Sequence, residues 1–331
     1  MKKRIALLYG GAPGEHDVSV MGYEYVSKLL INTEYDVIPI YVTKDGIWSI
    51  RTDKGLLDVY PIAKDGGGLY TGDTLIKIDA AIPLLHGKGG EDGSVQGALE
   101  CAGIPYVGAD ARTSALCIDK AYSKAIADSI GIPTLKGVSP RKYASTDAAL
   151  KLVKDNIGFP AFIKPRRLGS SVGAYQVRDE DEFREKYPQA SALGGGLVMI
   201  EELLGNKREL ECAFFELNGK RTVTPPGEIL IDGFYGYDEK YGGKTRTAAR
   251  ADIDSRTAGL ITDYAQALAD TMLLRHLGRV DFFLSDGGIF FNEINTFPGF
   301  TGESLYPKML ARYGIAPKDA ILAFVEDALS C

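Results

Sequence analysis

The chain has 331 residues, 45% of them hydrophobic and 25% charged, with a formal net charge of −6. That length holds two or three domains with substantial cores. The acidic balance argues against nucleic acid as the main partner, since a phosphate-tracking surface carries a basic surplus, but leaves room for a local cationic pocket.

Four cysteines (Cys101, Cys117, Cys212, Cys331) are scattered without metal spacing and read as incidental thiols of a reducing compartment. The start, "MKKRIALLYGGAPGEHD", meets a Gly-rich turn and an acid instead of a cleavage site, so it reads as a first strand. No run is long enough to span a membrane. A soluble, cytoplasmic protein is expected, with no membrane partner.

Strands and helices alternate from "RIALLY" (4–9) through "VSVMGYEYVSKLL", "YDVIPIYVT", "DGIWSI", "DAAIPLLHG" and "SVQGALECAG". This predicts a parallel α/β unit over residues 1–110. "TSALCIDKAYSKAIADSIG" (113–131) reads as one helix ending at Gly131. A helix over "DAALKLVKDNIG", strands at "FPAFIKP" and "SSVGAYQV", a helix over "DEDEFREKYPQAS" and a strand at "VMIEELL" follow. Together they predict a small α+β unit over 111–203. Residues 204–331 turn β-rich: strand "RELECAFFEL", an edge segment with Pro225 and Pro226, an aperiodic stretch 232–250, helix "SRTAGLITDYAQALADTMLL", the hairpin "GRVDFFLSDGGIFFNEINT" and a closing helix "PKDAILAFVEDALS". A loop as long as 232–250 inside a compact unit is usually functional or disordered.

The hairpin carries the strongest chemical signal. With a three-residue loop, Asp286-Gly287-Gly288, Asp281 faces Glu293, and Asn295 extends the same face by the strand period of two. A two-residue loop would part the acids onto opposite faces. Two carboxylates and an amide oxygen are hard ligands, suited to a Mg²⁺ that shares its shell with substrate phosphates. The plain structural alternative is a pair of acids satisfied by Arg or Lys. Lys164 in "FIKP", Lys120 in "DKAYSK" and the Gly/Ser turn "RRLGSSVG" (166–173) supply cations and backbone N–H groups for those phosphates. Two histidines read as background, His16 capping a turn and His276 on the surface, while His86, at the end of a strand, fits either a structural hydrogen bond or a substrate contact. Glu91 and Asp92 read as a solvated turn.

Taken in order, "GGAPGEHDVS", "LLHGKGGEDGSVQG", "GIPYVGA", "DK" at 119–120, "FIKPRRLGSSVG", "VMIEELL", "YDEKY", "GRVDFF" and "NEINTFPGFT" resemble the D-alanine–D-alanine ligases of the ATP-grasp superfamily, nearly end to end. The resemblance implies an α/β ATP-grasp fold, in which an N-terminal parallel-sheet unit precedes two α+β units (111–203 and 204–331) that clamp the nucleotide. It implies ATP and two Mg²⁺ ions, or Mn²⁺ in their place, held by Asp281, Glu293 and Asn295. Lys120 and Lys164 would contact phosphates under a loop carrying Ser170, Ser171 and Gly173. Glu201, Glu202 and Leu204 would line the adenine slot, with Glu209 at the ribose. Glu15 would bind the first D-alanine's ammonium, linked through Ser170 to Tyr241, with His86 nearby. Arg279 and the Gly299 N–H would stabilise the oxyanion. Ser304 and Leu305 would seat the second carboxylate, and Lys240 and Tyr241 would ride on a lid.

The implied partners are two D-alanines and ATP, in a homodimer, and the implied reaction is ATP-dependent joining of two D-alanines for peptidoglycan precursors. Tyr241 and Leu305 match the dipeptide-forming branch. Asp17 and Gly302-Glu303 depart from the family's commoner residues. The competing readings are a D-alanine–D-serine ligase, a biotin-carboxylase-like enzyme, and a nucleotide-binding regulator without turnover.

Overall fold

A computed structural model describes residues 2–63, 68–230 and 246–330. The first sheet contains β1 (Lys3–Gly10), β2 (Tyr35–Val42), β3 (Trp48–Thr52), β4 (Gly55–Asp58) and β8 (Ala80–Pro83), in the order β4-β3-β2-β1-β8. β1 pairs in parallel with β2 and β8, as the crossover helix α1 (His16–Leu29) requires. β3 and β4 are an antiparallel edge, so this sheet is mixed and not wholly parallel. The reason is local. Gly46 and Gly55 take positive φ and close tight hairpins where no crossover helix intervenes. A three-stranded sheet follows: β5 (Tyr60–Ile62), β6 (Gly68–Thr71) and β7 (Thr74–Ile76).

After α2 (Ser94–Cys101), the single helix expected over 113–131 is two: α3 (Ala111–Ile118) and α4 (Lys120–Ser129). Asp119 separates them. Its backbone leaves helical space (φ −85°, ψ 99°), and its Oδ1 accepts from the Ala121 N–H as a new N-cap. The second sheet has the order β11-β10-β12-β9, built from β9 (Gly137–Val138), β10 (Ala161–Pro165), β11 (Tyr175–Val177) and β12 (Val198–Glu202), with α5 (Thr146–Asn156) and α6 (Glu180–Leu193) packed on it. The strand expected over 170–177 starts only at Tyr175. Ser170 and Ser171 both take positive φ (52° and 58°) and cannot continue a strand.

The third sheet has six strands: β13 (Arg208–Leu217), β14 (Lys220–Val223), β15 (Gly227–Leu230), β16 (Arg246–Ala248), β17 (Leu277–Ser285) and β18 (Gly288–Asn295). α7 (Ser255–Thr271) packs against it together with α3 and α4. α8 (Leu305–Arg312) and α9 (Pro317–Ser330) turn back onto the first sheet. Phe297, Phe300, Tyr306 and Phe324 join Ile5, Leu7 and Val26 in one core cluster. The two ends of the chain are thereby welded by apolar burial, at about 25 cal/mol per Å² removed from water. Among the described residues, no helix is long and apolar enough to cross a membrane.

Candidate active site

The hairpin loop between β17 and β18 has two residues, Asp286 and Gly287, since Ser285 pairs with Gly288. The expected three-residue loop is absent, and on regular pairing Asp281 would face Asn292. A bulge between Asp281 and Phe282 absorbs one residue of β18, so Asp281 pairs with Glu293 and Arg279 with Asn295 after all. Glu211 on β13 pairs with Asp281 from the other side. One rung across three strands therefore carries Glu211, Asp281 and Glu293, with Arg279 and Asn295 beside it. The bulge also leaves the Asn292 amide oxygen 3.3 Å from Lys164 Nζ.

Arg279 grips both oxygens of Asp281 at 2.7 Å and lies 3.3 Å from Glu211. Burial works against its charge, but Asp281 and Glu211 outweigh that and hold it well above its ordinary range. Asn295 Nδ2 donates to Asp281 Oδ2 at 3.0 Å, and Glu293 lies 3.0 Å from Lys120 Nζ. Among the described residues no cluster of three Asp, Glu, His or Cys could hold a metal. The donor set is instead two cross-strand carboxylates and an amide oxygen, a small oxygen set that fits a hard cation completing its shell with water and phosphate.

Facing this rung is a lysine cluster. α4 presents Lys120 and Lys124 one turn apart, and β10 presents Lys164. Lys124 and Lys164 each approach Glu201 at 2.5 Å, one on each carboxylate oxygen. Burial pushes the Glu201 carboxyl up, but the two ammoniums override it and hold it at about 2. Lys164 goes the other way. Burial lowers it to about 8, with Lys124 and Lys120 adding to the fall against the pull of Glu201. With Arg279, the three lysines make four cations against the four carboxylates Glu201, Glu211, Asp281 and Glu293, so the groups balance one another. Lys124 was not expected from the sequence; its spacing of four from Lys120 was the available signal.

A cavity of about 800 Å³ joins these groups, apart from the more deeply buried Lys124, to the rest of the expected set. Glu15, His86, Lys120, Lys164, Ser170, Ser171, Glu201, Glu202, Leu204, Glu209, Arg279, Asp281, Glu293, Asn295, Gly299, Ser304 and Leu305 all line it. Gly173 adjoins it in the same loop at positive φ, where a Cβ would lie 3.0 Å from Leu193 and Pro165. Ser170 donates to Glu15 Oε1 at 2.7 Å, across 155 residues. Ser304 Oγ lies 2.8 Å from Thr301 Oγ1 at the start of α8. Lys240 and Tyr241 lie outside the described residues, as does most of the aperiodic stretch 232–250.

Two background assignments are corrected. Glu91 is not a solvated turn residue: it accepts from the Gly87 N–H at 2.9 Å and the Phe297 N–H at 3.4 Å, and it lines the cavity. Burial, and then Glu15, push it up to about 8. Asp92 does serve the turn, accepting from Gly89 and Ser94. His276 is not on the surface but fully buried. His16 bonds the Gly11 carbonyl and steadies its turn. His86 is lowered by burial, with Glu15 opposing.

The family profile described as "D-ala D-ala ligase N-terminus" matches residues 4–109, and "D-ala D-ala ligase C-terminus" matches 126–326. A curated D-alanine–D-alanine ligase of Deinococcus radiodurans is 36% identical over 99% of both chains. Among solved structures, the VanG D-Ala:D-Ser ligase of Enterococcus faecalis superposes with a TM-score of 0.89 at 32% identity, covering 99% of this chain and 100% of that one. The D-alanyl-alanine synthetase A of Vibrio cholerae superposes at 0.88 with 34% identity, covering 100% and 99%. With both family profiles matched and relatives aligned over full length, the chain belongs to the D-alanine–D-alanine ligase family and has its ATP-grasp fold.

Proposed function

We infer that the protein is an ATP-dependent D-alanine–D-alanine ligase working through an acyl phosphate in peptidoglycan precursor synthesis. The observation that carries the reading is the meeting, in one cavity, of Asp281, Glu293 and Asn295 with Lys120 and Lys164, with the Glu15–Ser170 pair in its wall and Lys124 buried behind Glu201. A carboxylate is a poor electrophile, so it is phosphorylated first; an amine then attacks the carbonyl and phosphate leaves. The lysines neutralise the transferring phosphoryl group. Arg279 and the Gly299 N–H face the developing oxyanion. Glu15, held by Ser170, receives the first ammonium, with His86 beside it. Ser304 and Leu305 seat the second carboxylate.

Glu201, Glu202 and Leu204 take the adenine and Glu209 the ribose. Asp281, Glu293 and Asn295 would hold two Mg²⁺ ions, which supply Lewis-acid polarisation of the phosphates. Ser171 and Gly173 cover those phosphates, and Lys240 and Tyr241, outside the described residues, would help keep water from the acyl phosphate. The division near residues 110 and 203, a homodimer and a cytoplasmic setting belong to the same reading.

A phosphate-release assay over D-alanine, D-serine and D-lactate, with the product identified by mass, tests it. Release with D-alanine alone and a dialanine product is expected. Turnover only when D-serine is the second partner would favour the D-alanine–D-serine reading, to which the likeness to VanG gives weight.

A further inference from the structure

We propose that Asp119 is a positioning residue that anchors the stem of the Ser170–Ser171 loop, and so sets affinity for the groups that loop covers. The inference rests on the ligase reading for what the loop covers, and on geometry for the anchor. Asp119 is fully buried between α3 and α4. Its Oδ1 accepts from Arg166 Nε at 2.7 Å and lies 2.7 Å from Arg166 Nη2, while its Oδ2 accepts from Arg167 Nε at 2.8 Å. A carboxylate taken wholly out of water is retained only with partners as complete as these.

Both arginines open the segment that runs into the loop. The next residue of α4 adds two further ties: the Lys120 N–H donates to the Arg166 carbonyl at 3.0 Å, and Lys120 Nζ donates to the Leu168 carbonyl at 2.9 Å. The Arg166 guanidinium also stacks over the Tyr122 ring at 4.8 Å. The loop has reason to need this hold. Two consecutive residues with side chains, Ser170 and Ser171, sit in left-handed backbone that neither favours. Such a conformation persists only when its surroundings over-determine it. The loop also faces two ways, since Ser170 grips Glu15 while its neighbours line the cavity beside Lys164.

Arg167 is half-exposed, so Arg167→Gln removes one partner of Asp119 without emptying a core. It is expected to raise the KM for ATP and for D-alanine together, about 5-fold, while kcat at saturation stays within about 2-fold and the melting temperature holds, the pattern of lost uniform binding. Asp119→Asn is expected to raise both KM values further, if it folds. Independently of turnover, amides of residues 168–173 should exchange faster in Arg167→Gln than in the unsubstituted protein without nucleotide. Unchanged KM values and exchange in the folded Arg167 variant would overturn the anchor, as would a fall in kcat alone. Absence of D-alanine-dependent phosphate release from the unsubstituted protein would overturn the ligase reading instead, leaving exchange as the test of the anchor.

Discussion

At the scale of single residues, the site is an arrangement of charges that satisfy one another until an anion arrives. Asp281 is held by Arg279 and Asn295, Glu293 by Lys120, and Glu201 by two lysines. Asp281→Asn keeps the shape but removes a hard ligand and the charge that Arg279 grips. It is expected to lower kcat for ADP formation at least ~100-fold, with circular dichroism showing the fold retained; a loss under ~3-fold would remove Asp281 from the chemistry. Lys164, lowered to about 8, is partly deprotonated at mildly alkaline pH. A polyphosphate stabilises its charged form, so nucleotide binding should take up protons near pH 8 and weaken as pH rises through that value. Calorimetry in buffers of different ionisation enthalpy reads the uptake directly. Lys164→Arg, charged throughout, should abolish it.

At the scale of elements, the bulge in β18 decides the site. "SDGG" and "IFFNEIN" fit a two- or a three-residue loop equally well, because alternation of side chains carries no signal for an extra residue. The pairing of Asp281 with Glu293 was legible; the device that achieves it was not. Gly10, at the end of β1, shows how little latitude the turn into the Glu15 loop has. Its φ is +100°, and a Cβ there would lie 2.3 Å from the Val42 carbonyl oxygen. Gly10→Ala is expected to cost about 1–3 kcal/mol in chemical unfolding, and no measurable loss would mean that the turn relaxes freely. The break at Asp119 belongs to this scale too. Helical spacing runs unbroken through "CIDKAYSK", and only the pairing of Asp119 with Arg166 and Arg167, in the turn after β10, explains why the chain leaves the helix there.

At the scale of the whole molecule, His276 ties three regions together. Its Nδ1 accepts from the Gly108 N–H at 2.9 Å, so Nε2 carries the proton and faces Asp327 of α9 at 2.9 Å. Burial, with Arg275 adding, lowers it to about 4. A depressed histidine contributes stability that is present above its unfolded value near 6.5 and is lost as pH falls toward 4, because the unfolded chain then binds the extra proton. That is on the order of 3 kcal/mol. Thermal unfolding should therefore weaken between pH 6.5 and 4, and His276→Gln should flatten that slope; an equal slope in the variant would refute the assignment. A lone polar residue between "LLR" and "LGRV" gave no hint of this burial, since its partners lie 168 residues before it and in the last helix.

By itself the sequence determined the main alternation of strands and helices, the hard-ligand chemistry of Asp281, Glu293 and Asn295, and two of the cations able to meet a phosphate, Lys120 and Lys164. These depend on periodicity and side-chain chemistry, which are local properties of a chain. Only the tertiary structure decided that Lys124 pairs with Glu201, that Glu91 reaches Phe297, that Glu15 meets Ser170, and that His276 is buried. Each of those facts is a contact between residues far apart in the chain, made when three sheets close on one cavity, and no local pattern encodes which distant partner burial will supply.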